Sequence, residues 1–292
     1  MRVHLVDGTY ELFRHFYGAP AVTDTSGNER GAVAGVVQTL LGMLEEGATH
    51  IGVATDHVIE SFRNDLYSGY KTGEGIDPLL WGQFEPLEGA VGALGVVIWP
   101  MVEVEADDAL AAAAASAAAD SRVERVVLCT PDKDLAQCVR GDRVVQLDRR
   151  SGEVRNADGV MAKFGVSPAS IPDYLALVGD SADGFPGLPG WGAKAASTVL
   201  ARYGRLEDIP ASAADWDVAP RGATKLALVL RARWEDAMLF RTLATLRTDQ
   251  PVVKVDELEY RSPTPGFETL AASWGRPKLF ARAQAIAAGR SV

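Results

Sequence analysis

Nine carboxylates in this 292-residue chain stand at a few sharply defined points, several of them just past the end of an apolar run. Val3-His4-Leu5-Val6 leads into Asp7, and Ile51-Gly52-Val53-Ala54-Thr55 leads into Asp56. Val126-Val127-Leu128-Cys129-Thr130-Pro131 leads into Asp132, with Asp134 two residues on. Glu105, Asp107 and Asp108 open an alanine-rich helix, and Asp180 and Asp183 flank the start of a Gly/Pro-rich turn. Open parallel sheets bind their ligands at the carboxyl ends of the strands. Carboxylates gathered there repel one another unless cations neutralise them. The chemistry on offer is that of a divalent-metal site.

Taken singly, these groups differ in what they say. An aspartate after a strand is also a common turn residue or helix cap; Asp7 taken alone reads first that way, and Asp56 reads that way as readily as it reads as a ligand. Asp132 and Asp134, at i and i+2 after a buried strand, can turn their oxygens toward one region, which suits a hard cation or a helix N-terminus. One cap explains one acid, not the three of Glu105-Ala106-Asp107-Asp108. On a helix Glu105 and Asp108 share a face, while Asp107 points elsewhere unless it precedes the first turn. After Asp180 and Asp183 comes Gly184-Phe185-Pro186-Gly187-Leu188-Pro189-Gly190-Trp191-Gly192-Ala193-Lys194. Its glycines leave backbone N–H groups open to a phosphate at the start of a helix, and Lys194 adds a cation. A plain inter-helix turn is the competing reading of that segment.

The elements that must position these residues fall into two stretches. Over about the first 165 residues, strand and helix patterns alternate, which predicts an α/β fold with a mostly parallel sheet and helices on both faces. Strands are expected at Arg2–Val6, His50–Thr55, Val96–Trp99, Val126–Cys129 and Arg143–Leu147. Helices are expected near Ala32–Glu46, Pro78–Ala93, Asp107–Ala119 and Asp134–Val139. From Ser167 helical periodicity dominates, through Ala193–Tyr203, Thr224–Ala232 and Trp234–Thr245, with a short strand expected at Val252–Val255.

Composition sets bounds. With 47% hydrophobic and 23% charged residues, the chain is an ordinary globular one. No signal peptide is visible, and the longest apolar stretch, Ala109 to Ala119, is too short to span a bilayer, so a cytoplasmic protein without a membrane partner is expected. Cys129 and Cys138 are read as reduced packing residues. The net charge of −10 does not exclude a phosphate substrate. Of the 39 acidic residues nine belong to the groups above, and the other 30 nearly balance the 29 Lys and Arg. The four histidines (His4, His15, His50 and His57) show no pairing with a serine or cysteine and no metal-ligand spacing, and are read as structural or surface residues.

Five segments occur in the order found in one family. They are Leu5-Val6-Asp7-Gly8, Tyr70-Lys71, Glu105-Ala106-Asp107-Asp108, Asp132-Lys133-Asp134-Leu135, and Gly179-Asp180-Ser181-Ala182-Asp183 with Gly187-Leu188-Pro189-Gly190-Trp191-Gly192-Ala193-Lys194. Over about residues 1–205 the chain resembles the bacterial 5′-nucleases, the 5′→3′ exonuclease domain of DNA polymerase I and its free-standing flap-endonuclease relatives. The resemblance implies a PIN-like nuclease core over 1–166, with an arch over the active site at 73–94. It implies a helical DNA-binding region over 167–292, with a helix–three-turn–helix element at about 184–205. It also implies phosphodiester hydrolysis by two divalent ions, Mg²⁺ or Mn²⁺, about 3.5–4 Å apart.

Carried over by position, Asp7, Asp56, Glu105 and Asp107 hold the first ion. Asp132, Asp134 and Asp183 hold the second, with Asp107 near both. Asp108 and Asp180 act through water or as outer contacts. Lys71 reaches the scissile phosphate, and Arg63 and Arg14 are candidate phosphate contacts, with a salt-bridged role equally open. Phe13 stands where relatives carry a stacking tyrosine, though a core role fits it as well. Gly187, Gly190, Gly192 and Lys194 grip the duplex, and a potassium ion supports that turn. The expected partner is DNA with 5′ ends, flaps or junctions, RNA primers included, bound by a monomer. The chain ends near the end of the nuclease unit, which reads as a stand-alone form.

One departure stands out. Glu74 takes the place of an arginine common in relatives, and Gly73 to Leu94 carries Glu74, Asp77, Glu85 and Glu88 but no Lys or Arg. Such an arch attracts a single-stranded 5′ end weakly. Two other readings stay open on sequence: a PIN-type ribonuclease, and a non-catalytic junction-binding module.

Overall fold

The structure is a computed structural model that describes residues 1–18 and 20–290. Two compact units interleave along the chain. The first comprises residues 1–59, 73–130 and those from Thr248 onward, and the second residues 60–72 and 131–247.

The apolar runs that end in carboxylates become the central strands of the first unit. These are β1 (Arg2–Asp7), β2 (His50–Asp56), β3 (Val97–Met101) and β4 (Arg125–Cys129), all parallel in the order β3-β2-β1-β4. Val3, Leu5, Val6, Ile51, Val53, Val126 and Leu128 are buried, the near-continuous apolar pattern of strands covered on both faces. The alanine helix Ala106–Ala119 lies against all four strands. Nine of its fourteen residues are buried, because small side chains let it sit close to the sheet. Helices Gly8–Gly18 and Phe84–Leu94 pack on the sheet as well, and Gly31–Glu45 packs on both of them.

The segment read as an arch, 73–94, holds the helix expected near Pro78–Ala93 in two pieces. Leu80, Phe84, Leu87, Val91 and Leu94 recur at helical spacing and are buried. Phe84–Leu94 is therefore a core helix of the first unit, separated from a short turn of helix at Pro78–Trp81. The strand expected at Val252–Val255 does not form. A 3-10 turn, Val255–Leu258, stands beside β2, and helices Pro265–Ser273 and Lys278–Arg290 close the unit.

The second unit carries the antiparallel pair β5 (Val144–Asp148) and β6 (Glu153–Arg155), of which β6 was not anticipated. A 3-10 helix (Asp134–Cys138) and helices Ala157–Phe164, Ile171–Val178, Ala193–Tyr203, Ala223–Ala232 and Trp234–Ala244 complete it. Its core is aromatic: Phe185 stacks on Phe240 at 5.7 Å, and Trp191 lies 6.2 Å from Trp216.

Candidate active site

Two short loops of the second unit build an acidic cluster. In the loop after β4, the Asp134 amide donates to Asp132 Oδ1 at 2.9 Å, and this turn leads into the 3-10 helix. Two glutamines hold the loop from behind. Gln146 on β5 donates to the Asp132 carbonyl at 2.6 Å, and Gln137 donates to the carbonyls of Asp134 (2.8 Å) and Ala244 (2.9 Å). The other loop is cinched at its ends by paired backbone bonds between Asp180 and Phe185, at 2.8 and 3.1 Å. As a result Asp134, Asp180 and Asp183 each place one carboxylate oxygen within 4.8 Å of the others.

Asp134 carries the strongest signal. It is 5% exposed, and its Oδ1 is buried with no hydrogen-bond partner. Burial, reinforced by the charges of Asp132, Asp183 and Asp180, pushes its carboxyl well above the ordinary range. A buried orphaned oxygen costs free energy. The donors around it are hard carboxylate oxygens, which suit a divalent cation of the Mg²⁺ or Mn²⁺ type. The residues therefore fit such an ion.

Two lysines already face this cluster. Lys71 Nζ lies 3.1 Å from Asp183 Oδ1, and Lys133 Nζ lies 2.6 Å from Asp180 Oδ2. Gly184 makes the first contact possible. Its φ is +86°, and a Cβ there would fall 2.2 Å from the Gly69 carbonyl oxygen. With glycine in place, the strand of chain from Gly69 to Lys71 runs against the loop, and the Lys71 amide donates to the Asp183 carbonyl at 3.0 Å. The side-chain amide of Asn64 donates to the Lys71 carbonyl at 2.9 Å.

In the first unit, Asp7 and Asp56 end the adjacent strands β1 and β2. Asp7 accepts from the Tyr10 amide (2.8 Å) and from Thr130 Oγ1 (3.1 Å), so Thr130 at the end of β4 orients it. Asp56 Oδ1 accepts from the Ala106 amide at 2.8 Å, which ties the strand end to the start of the alanine helix. Glu105 is buried at the N-cap and Asp107 is half-buried in the first turn. Asp108 is fully buried, and its Oδ2 accepts from the Glu105 amide at 3.0 Å; it serves as the cap. Beside β2, Glu88 accepts from Thr55 Oγ1 at 3.0 Å and pairs with His57 Nδ1 at 2.8 Å.

Several residues expected to meet DNA are engaged elsewhere. Arg63 is 1% exposed and donates to the Leu243 (2.8 Å) and Thr245 (3.1 Å) carbonyls. It is a strut on the end of helix Trp234–Ala244, since its guanidinium satisfies carbonyls the helix leaves open. Arg14 pairs with the fully buried Glu11 and reaches Thr39. Phe13 packs edge-on against Phe84 at 6.0 Å, which makes it a packing residue. Gly187 is buried, and a Cβ there would fall 2.3 Å from the Gly179 amide nitrogen, so it closes the loop and does not face a ligand. Gly190, Gly192 and Lys194 are exposed at the start of helix Ala193–Tyr203. Of the four acids counted against the arch, Asp77 caps its short helix and Glu88 is buried. Glu74, Asp77 and Glu85 remain as exposed charges.

Lys133, Gln137, Gln146, Thr130 and Asn64 were not assigned roles from sequence. Lys133 alone left a signal there, a base set between two aspartates. The glutamines and Asn64 bond to backbone across turns of the fold that no local pattern encodes.

Comparison with known proteins places this chain in a family. Residues 2–165 match the family described as "5'-3' exonuclease, N-terminal resolvase-like domain", and residues 166–266 match "5'-3' exonuclease, C-terminal SAM fold". The chain belongs to the 5′-3′ exonuclease family, a family of nucleases. It is 39% identical over 259 residues to DNA polymerase I of Pseudomonas aeruginosa, which covers 87% of this chain and 28% of that protein. It thus spans little more than a quarter of the length of that relative. The 5′-3′ exonuclease of Aquifex aeolicus is 30% identical, with 89% of this chain and 87% of that one covered. T5 5′-exonuclease with bound zinc shares the fold, with a TM-score of 0.67, 18% identity and 98% of both chains covered. Flap endonuclease-1 of Methanococcus jannaschii also shares the fold, with a TM-score of 0.61, 16% identity, and 99% and 93% coverage. Among the described residues no helix is long and apolar enough to cross a membrane.

Proposed function

We propose that the protein hydrolyses DNA phosphodiesters near 5′ ends, 5′ flaps or duplex–single-strand junctions, using two divalent ions of the Mg²⁺ or Mn²⁺ class. The observation that carries this reading is the buried, unpartnered Asp134 oxygen inside the Asp134–Asp180–Asp183 cluster, with Lys71 beside it. Asp134 and Asp183, with Asp132, would hold one ion; Asp7, Asp56, Glu105 and Asp107 would hold the other. Such ions, when bound, supply a hydroxide at neutral pH and neutralise charge building on the phosphate oxygens.

The chain's own residues do the rest. Thr130 and the Tyr10 amide fix the Asp7 carboxylate, and the Ala106 amide fixes that of Asp56. Lys71, held by Asp183 and Asn64, presents an ammonium to a non-bridging phosphate oxygen, where charge grows in the transition state. The exposed Gly190–Lys194 turn offers amides and one cation to a duplex phosphate, and its backbone carbonyls suit a potassium ion. In this reading residues 1–166, joined by Asp180 and Asp183, carry the chemistry, and the rest of 167–292 grips the duplex.

The test uses 5′-labelled flap, overhang and blunt DNA duplexes and an RNA-primed duplex, with Mg²⁺, Mn²⁺ or EDTA. Metal-dependent release of short 5′ products from DNA is expected, abolished by Asp134→Asn. Metal-independent binding with no cleavage of any substrate would leave a junction-binding module, and cleavage of RNA alone a ribonuclease.

A further inference from the structure

Asp180 belongs to the cluster by position but not by availability. Its Oδ1 accepts from the Ala182 amide at 2.9 Å and the Asp183 amide at 3.4 Å. Its Oδ2 accepts the Lys133 ammonium at 2.6 Å. Both oxygens are thus committed within the protein, while Asp134 Oδ1, a few ångströms away, has no partner. Lys133 stands between Asp132 and Asp134 in sequence, so the loop that carries two of the acids also carries the cation. Its side chain is 35% exposed, which leaves it a route to water.

The charges make the same point. Asp132, Asp134, Asp180 and Asp183 bring four negative charges, and Lys71 and Lys133 bring two positive ones. Two negative charges are left, which one divalent ion neutralises. Without Lys133 three are left, and Asp180 gains a free oxygen.

We propose that Lys133 is a tethered counter-cation that withholds Asp180 from the metal, confines the ion to the Asp134–Asp183 side of the cluster, and lowers the affinity with which the cluster binds it. Lys133 is a positioning residue in this account, and the account rests on the metal-binding reading above. An ion held loosely enough to exchange can leave with product, whereas one held by every acid present would stay.

The experiment titrates the full-length protein with Mn²⁺ in the absence of DNA and follows free Mn²⁺ by its electron paramagnetic resonance signal. Lys133→Met and Lys133→Gln should each bind roughly tenfold tighter, the scale set by removing one charge from a few ångströms beside a divalent ion in a wet site. Lys133→Arg, which keeps the charge, should stay within about twofold of wild type by the same reasoning. Adding Asp180→Asn to Lys133→Met should erase the gain, because the tighter binding comes from Asp180 joining the ligands. Unchanged or weaker binding in both neutral variants overturns the proposal, as does tighter binding in Lys133→Arg equal to that in Lys133→Met. Lack of any Asp134-dependent Mn²⁺ binding in the wild type overturns the functional reading together with this inference. Asp134-dependent binding that ignores Lys133 overturns this inference alone.

Discussion

Charging Asp134 costs free energy in the metal-free protein, since burial and the neighbouring carboxylates all favour its neutral form. Its folded pKa lies above the ordinary value of 3.8, so folding binds a proton. That contribution to stability is complete below the ordinary carboxylate pKa and is lost as pH rises toward the raised one. In EDTA, Asp134→Asn should therefore be more stable than wild type near neutral pH, and the gap should close on acidification. A saturating divalent ion should reverse the order, because only the wild type binds it through that carboxylate. Thermal melts of both proteins at pH 5 and pH 7.5, with and without Mn²⁺, test this, and parallel pH profiles would count against it. Lys71 acts at the same scale but in the transition state. Lys71→Ala should lower kcat roughly 10²–10³-fold, the range found when one charge-stabilising donor is removed, as measured in single-turnover cleavage.

At the scale of elements, the loop Gly179–Gly187 and the segment Gly69–Lys71 behave as one part. Gly184→Ala would drive a Cβ into the Gly69 carbonyl at a positive φ. The loop and segment must then separate, taking Lys71 from Asp183. A stability loss of about 1–3 kcal/mol is expected. Cleavage should fall as far as in Lys71→Ala, read from the same assay; near-wild-type cleavage would show that the two move independently. How legible these parts were in sequence follows from what sequence encodes. The strands before Asp7, Asp56 and Asp132 were visible because buried parallel strands are continuous apolar runs, and the capping of the alanine helix because acids collect at its start. The helix expected near Pro78–Ala93 was legible because Leu80, Phe84, Leu87 and Val91 are spaced for burial, while the break that sets Pro78–Trp81 apart from Phe84–Leu94 was not. Arg63 looked like a phosphate contact because an arginine near a lysine of the site invites that reading. Its true partners, the carbonyls of Leu243 and Thr245, lie about 180 residues away in sequence, at separations of 180 and 182. Helix Gly8–Gly18 went unread because its buried face includes a glutamate, Glu11, that only the pairing with Arg14 explains.

On the scale of the whole molecule, the first unit is assembled from three separate stretches of chain. Its last stretch is structural: Phe267, Ala271, Trp274, Leu279 and Ala283 are buried, and Arg290 donates to the carbonyls of Leu44 (3.0 Å) and Ala48 (2.6 Å). These residues lie beyond residue 266, where the family match ends. Ending the chain at residue 266 should therefore uncover the helices Gly31–Glu45 and Phe84–Leu94 and lower the melting temperature by more than about 10 °C, given several kilocalories of lost apolar burial. Calorimetry of the shortened protein would show this, and an unchanged melt would make the last two helices dispensable. The same threading bears on how the protein is made. A ribosome releases the strands bearing Asp7 and Asp56 first and the helices that complete their unit last. During translation those carboxylates sit in an unfinished core until the last stretch of the unit is made. The acidic strand ends of the first unit thus gain their complete support only once helix Lys278–Arg290 has been synthesised.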